Sequence, residues 1–174
     1  MTTFFDLFAG IGGFRFGLER VGWICVGWCE WDKYCQQSYR ANFDTEQEWF
    51  WEDATTMPAE KMPDFDVLCG GFPCQPFSTA GKQGGFEDSR GTMVYHVFKI
   101  LRTKQPKAFV LENVRGLTNQ TFHKEFIFII KTLHDLGYTV RWKILNSKNY
   151  GVPQLRERIF IVGLRNDIAL SDGP

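Results

Sequence analysis

Short apolar runs alternate with amphipathic stretches along the whole chain, and that alternation constrains the fold more than any other feature. Residues 3–8 are apolar and stop at a glycine cluster, as a buried strand followed by a turn would. Residues 14–21 have helical spacing and end before Gly22, a suitable cap. Residues 24–29 read as a second strand, and 32–42 as a helix with Asp32 at its start. Residues 66–70 form a third clear strand, and a polar, glycine-rich loop over 72–91 leads into a helix from Thr92 to about Lys104. A strand at 108–111, a helix at 124–136 and strands at 139–145 and 158–164 complete the pattern. Strands alternating with helices at this spacing predict an α/β fold on a doubly wound, mostly parallel, Rossmann-like sheet.

The 174 residues show no repeat, low-complexity tract or domain boundary, so a single domain over 1–174 is expected. With 44% hydrophobic residues, the chain has the means to bury a core and does not read as disordered. No apolar stretch approaches a membrane span, and the N-terminus lacks the basic flank and apolar run of a signal peptide. Five cysteines make an odd count with no C-x-x-C pair, which indicates neither a disulfide framework nor a structural zinc site. No metal and no membrane are expected, and a reducing, cytoplasmic compartment fits best.

Ligands on doubly wound sheets lie beyond the carboxyl ends of the strands, and that rule selects the segments to read. Gly10-Ile11-Gly12-Gly13 stands where the first strand turns into the first helix, and glycines there let the backbone approach a ligand. A dinucleotide fingerprint would place a third glycine at position 15, where this chain has Arg15. Glu30 ends the second strand twenty residues after Gly10, where a carboxylate can hold ribose hydroxyls. Trp31 beside it could stack on a purine, and Asp53, after the apolar run 49–51, could accept from an exocyclic amine. A tight turn with unrelated surface acids would show the same residues one at a time. Together they describe an adenosine site without a pyrophosphate cradle, which favours S-adenosylmethionine over a nicotinamide cofactor.

Gly70-Gly71-Phe72-Pro73-Cys74-Gln75-Pro76-Phe77-Ser78 follows directly on a strand. Cys25, Cys29, Cys35 and Cys69 read as small hydrophobes of the core. Cys74 stands instead between two prolines at the ligand-binding edge, and no neighbour in sequence is an obvious base for it. Net charge is zero but unevenly spread: residues 1–68 carry 5 Lys/Arg against 12 Asp/Glu, and residues 69–174 carry 15 against 8. Ordinary solvated surfaces would account for this, as would a second half that faces a polyanion.

From about Phe4 to Asn166 the chain resembles the catalytic domain of the DNA cytosine-5 methyltransferases. Asp6-Leu7-Phe8-Ala9-Gly10-Ile11-Gly12-Gly13 resembles the family's cofactor loop, and Glu30-Trp31-Asp32 its ribose and adenine clamp. Gly71 to Ser78 resembles the nucleophile loop, and Glu112-Asn113-Val114 the substrate-binding acid. The run from Tyr150 to Arg158 resembles the Gln-x-Arg-x-Arg segment, with Gln154, Arg156 and Arg158 in place. The resemblance implies the fold of S-adenosylmethionine-dependent methyltransferases and a cofactor held by Phe8, Gly10, Gly12, Glu30, Trp31, Asp53 and Pro73. It implies that Cys74 adds to carbon 6 of cytosine, Glu112 holds ring nitrogen 3, and Arg156 and Arg158 hold oxygen 2 and the local electrostatics. Such chemistry requires duplex DNA with the target base flipped out. Residues 78–91 then read as a lid that places Ser78, Lys82 and Arg90 near DNA phosphates.

The family also carries a target-recognition domain and a closing segment with a Gly-Asn-Ser signature, neither of which is found in these 174 residues. The expectation is one part of a split enzyme, with a second polypeptide for recognition, of the kind found in restriction-modification. The alternatives are an inactive remnant that at most binds cofactor, and a transfer RNA cytosine-5 methyltransferase.

Overall fold

The computed structural model describes residues 1–73 and 93–168. Eleven elements of regular structure run in the order β1 (Thr3–Leu7), α1 (Gly13–Glu19), β2 (Ile24–Cys29), α2 (Lys33–Asn42), β3 (Trp49–Trp51), β4 (Val67–Gly71), α3 (Met93–Lys104), β5 (Ala108–Val114), α4 (His123–Asp135), β6 (Tyr138–Asn146) and β7 (Glu157–Arg165), with short 3-10 turns between. The strands form one sheet in the order β3-β2-β1-β4-β5-β7-β6. The first five run parallel, and β7 lies antiparallel to both β5 and β6. A doubly wound, mostly parallel α/β sheet is therefore present as the alternation predicts.

Local chemistry explains several boundaries. The Asp32 carboxylate accepts from the backbone N–H groups of Tyr34 and Cys35 at 2.9 and 2.8 Å and so starts α2. Gly22, at φ 81, donates to the Glu19 carbonyl at 2.9 Å and turns the chain after α1. Most boundaries move by one or two residues, and two larger differences from the sequence reading bear on the site. The run Trp49–Trp51 is a strand, too short for periodicity to reveal, and its place beside β2 depends on Gly27. A Cβ on Gly27 would lie 2.7 Å from the Trp49 carbonyl oxygen. β5 continues past residue 111 to Val114 because β7 pairs with it through Arg158.

Sheet alternation divides the core in two. Phe5, Leu7, Leu68, Phe109, Leu111, Ile159 and Ile161 pack with α3 and α4 on one face. Phe4, Cys25, Val67 and Cys69 pack with Phe14 and Leu18 of α1 on the other. Among the described residues no helix is long and apolar enough to cross a membrane. The order of strands reverses between β1 and β4, and at such a point the outgoing chains diverge and leave a crevice. The glycine turn, Glu30-Trp31, Asp53 and Pro73 all follow strands that end on that side.

Candidate active site

A cavity of about 360 Å3 opens at the carboxyl ends of β1 to β4. Phe8 comes to it from β1, Cys29-Glu30-Trp31 from β2, Glu52 to Thr55 from β3, Pro73 from β4 and Met93 from the start of α3. That volume lies in the range of small-ligand sites. The turn behind it is built on positive φ at Phe8, Gly10 and Gly12. Glu30 is 9% exposed and locks this turn, accepting from Gly10 N–H through Oε2 and from Asp32 N–H through Oε1, both at 2.8 Å. Each oxygen keeps a further lone pair for a ligand hydroxyl. Trp31 leaves 77% of its surface free for stacking. Asp53 accepts from Thr55 N–H through one carboxylate oxygen and lines the cavity.

Gly10 and Gly12 support this site from behind and are not among its lining residues. A Cβ on Gly12 would stand 2.2 Å from the Phe43 ring, so that glycine serves packing against α2. Burial pushes the Cys29 thiol up to about 12, and the cavity therefore holds a neutral thiol there at ordinary pH. Burial likewise raises Cys25, Cys35 and Cys69, so none of the four described cysteines is prepared as a thiolate.

A second cavity, of about 320 Å3, gathers Glu112, Arg156 and Arg158 with Leu145, Ser147, Tyr150 and Phe160. Antiparallel pairing makes this possible, because it returns the start of β7 to the end of the sheet where β5 finishes. Glu112 pairs with Phe160 and Val114 with Arg158, so Glu112 and Arg158 are diagonal neighbours on one face. Arg158 Nε stands 2.9 Å from Glu112 Oε1. The neighbouring strand meets the same carboxylate: a Cβ on Gly71 would lie 2.9 Å from Glu112 Oε2. Asn113, 2% exposed, donates from Nδ2 to the Phe72 carbonyl at 2.9 Å and ties β5 to the chain leaving β4.

Residues 71–73 therefore touch Glu112 at one end and the first cavity at the other, and Cys74 is the next residue in sequence. Cys74, Ser78, Lys82 and Arg90 lie outside the described residues. Sequence reasoning did not single out Asn113 for its tie to Phe72, nor Ser147 and Tyr150 as lining residues, since each depends on a contact between distant segments. Among the described residues no group of three or more His, Cys, Asp or Glu could hold a metal ion.

Residues 2–172 match the family described as C-5 cytosine-specific DNA methylase. The chain is 50% identical over 94% of its length to the type II methyltransferase M.NgoBI of Neisseria gonorrhoeae, and covers 50% of that protein. It is 44% identical over 97% of its length to M.HhaI of Haemophilus parahaemolyticus, and covers 51% of it. The chain thus spans about half the length of the curated relatives it matches. Among solved structures, the Dnmt2 methyltransferase of S. pombe superposes over 100% of this chain and 52% of its own, with a TM-score of 0.74 at 20% identity. At that identity the likeness is one of fold.

Proposed function

Because the chain belongs to the C-5 cytosine-specific DNA methylase family, we propose that it is the catalytic half of an enzyme that methylates carbon 5 of cytosine in DNA. The observation that carries this reading is the short bridge from Gly71 to Pro73, which joins a carboxylate–guanidinium cavity to one of small-ligand size, with Cys74 next in sequence. The acids and the exposed indole that line the first cavity support its reading as the S-adenosylmethionine site. The cofactor's adenine would lie on Trp31, its ribose hydroxyls on Glu30 and its exocyclic amine on Asp53. When bound there, the cofactor supplies an electrophilic methyl group.

The protein's own residues make cytosine reactive toward that methyl. The Cys74 thiolate adds to carbon 6, which gives carbon 5 enamine character. Electron density then moves toward ring nitrogen 3, where Glu112 holds the developing charge through a proton. Arg158 fixes the orientation of that carboxyl group, and Arg156 beside it meets oxygen 2. Once carbon 5 has gained the methyl group, loss of its proton expels the Cys74 thiolate from carbon 6 and frees the methylated base. All of this requires a cytosine flipped from the duplex. Reading of base sequence is assigned to the further length that the relatives possess, on the same chain or on a second polypeptide.

The test is trapping on DNA that carries 5-fluorocytosine, in the presence of S-adenosylmethionine, with the protein joined to a recognition half. Fluorine cannot depart as a proton does, so a denaturation-resistant adduct is expected. Cys74→Ser should eliminate the adduct and leave cofactor affinity near that of the wild type. An undiminished adduct in that variant would place the nucleophile elsewhere. Methylation of transfer RNA and not of DNA would overturn the substrate.

A further inference from the structure

Arg15, which replaces the third glycine of a dinucleotide fingerprint, is 4% exposed and sits in a buried polar chain beneath the cofactor turn. Its Nη1 and Nη2 meet the two oxygens of Glu48 at 2.8 and 2.7 Å, and Nη2 also donates to the Asp44 carbonyl at 3.1 Å. Nε pairs with Glu19 at 2.7 Å, and the guanidinium stacks 4.4 Å from the centre of the Phe43 ring. At a longer 3.5 Å, Nη1 reaches the Tyr39 hydroxyl, which in turn donates to Asp6 Oδ2 at 3.1 Å. Cys69 Sγ stands 3.6 Å from the other oxygen of Asp6 and 3.4 Å from the Phe5 carbonyl. Asp6, Tyr39 and Cys69 have no exposed surface at all.

The placement of these groups is informative. Asp6 stands two residues before Phe8, Glu48 four before Glu52, and Cys69 four before Pro73, each of which lines the first cavity. Arg15 stands two residues after Gly13, in the first turn of α1. One hydrogen-bonded chain thus joins the roots of the segments that converge on the cofactor. A buried charged network gains little stability over apolar packing of the same volume, and what it does supply is a single arrangement of its parts. We propose that Tyr39, through its hydroxyl between Arg15 and Asp6, is a positioning residue for the cofactor site. This inference rests on the reading of that cavity as the S-adenosylmethionine site.

A consequence distinguishes positioning from plain packing. The groups that face Asp6 are Tyr39 of α2, Cys69 of β4, Cys25 of β2 and Arg15 of α1, with Glu30 beyond the turn. Burial raises the Asp6 carboxyl to about 7, and the Tyr39 hydrogen bond opposes that rise. A cofactor of net positive charge favours the ionised carboxylate, so its affinity should increase as pH rises through this range.

Calorimetric titration with S-adenosylmethionine across that range, on wild type and Tyr39→Phe, tests the inference. The variant keeps the ring stacked 4.4 Å from Trp28 and removes only the hydroxyl. Affinity about tenfold weaker at neutral pH, with the midpoint of its pH dependence moved upward, is expected. Asp6→Asn should bind cofactor with no midpoint in this range, and a far-UV spectrum identical to wild type accompanies either result. Wild-type affinity and midpoint in Tyr39→Phe would overturn the inference, as would weaker binding with an unmoved midpoint. These titrations use the protein joined to a recognition half, and absence of binding by that wild-type protein would instead overturn the cofactor assignment on which it rests.

Discussion

Single residues in this protein carry two kinds of demand, one chemical and one steric. Glu30 holds the glycine turn with both carboxylate oxygens and keeps further lone pairs toward the cavity, so one side chain serves the turn and the cavity at once. Asp6 bears the opposite burden, since it lies wholly inside and loses its hydration. Its folded-state value of about 7 stands above the ordinary 3.8. The folded protein therefore holds a proton that the unfolded chain has released, and that contribution to stability is lost as pH rises from about 4 through about 7. Urea denaturation of the wild type between about pH 5 and 8 should show stability falling by on the order of 2–4 kcal/mol from this group. Asp6→Asn, permanently neutral, should lack that decline. A wild-type profile in the variant would show that the decline does not come from Asp6.

At the scale of elements, the site exists because particular strands approach more closely than side chains would allow. Gly70 on β4 faces the end of β1, and a Cβ there would lie 2.3 Å from the Leu7 carbonyl oxygen. Backbone cannot yield as a flexible side chain can, so Gly70→Ala should force apart the two strands that flank the crevice. A loss of about 3 kcal/mol or more in unfolding free energy is expected, in the upper range for single substitutions. Chemical denaturation measures it directly, and a change under 1 kcal/mol would mean that the strands have room to separate. The direction of β7 is the second decisive feature of this scale. Were β7 parallel to β5, its start would lie at the opposite end of the sheet and Arg158 could not meet Glu112.

For the whole molecule, charge separates along the chain as the two proposed ligands do. Acids of the first half, Glu30, Glu52 and Asp53, surround the first cavity, while Arg156 and Arg158 of the second half line the other. DNA binding should therefore weaken steeply with salt, by a slope of about −0.9 in log affinity against log salt for each phosphate neutralised. Cofactor affinity should change little over the same range. Anisotropy titrations with labelled duplex, beside calorimetry with cofactor, compare the two, and a flat response for DNA would exclude phosphate contacts as its basis. The alternation of strands and helices, the glycine turn, the strand-end acids and the α2 cap were all legible in sequence, because each arises from residues close along the chain and from short-range preferences of backbone and hydrophobic period. The strand at Trp49–Trp51 was not, since three residues carry no period and only the space left by Gly27 admits them. The burial of Arg15 was equally hidden, for its partners Tyr39, Asp44 and Glu48 lie 24 to 33 residues away. Sequence by itself determined the order of strands and helices and which segments follow the strand ends, because both arise from neighbours along the chain. Only the tertiary structure decided which of them meet, because the pairing of Glu112 with Arg158, and of Asn113 with Phe72, depends on strand direction and register, which are settled by packing across the whole sheet.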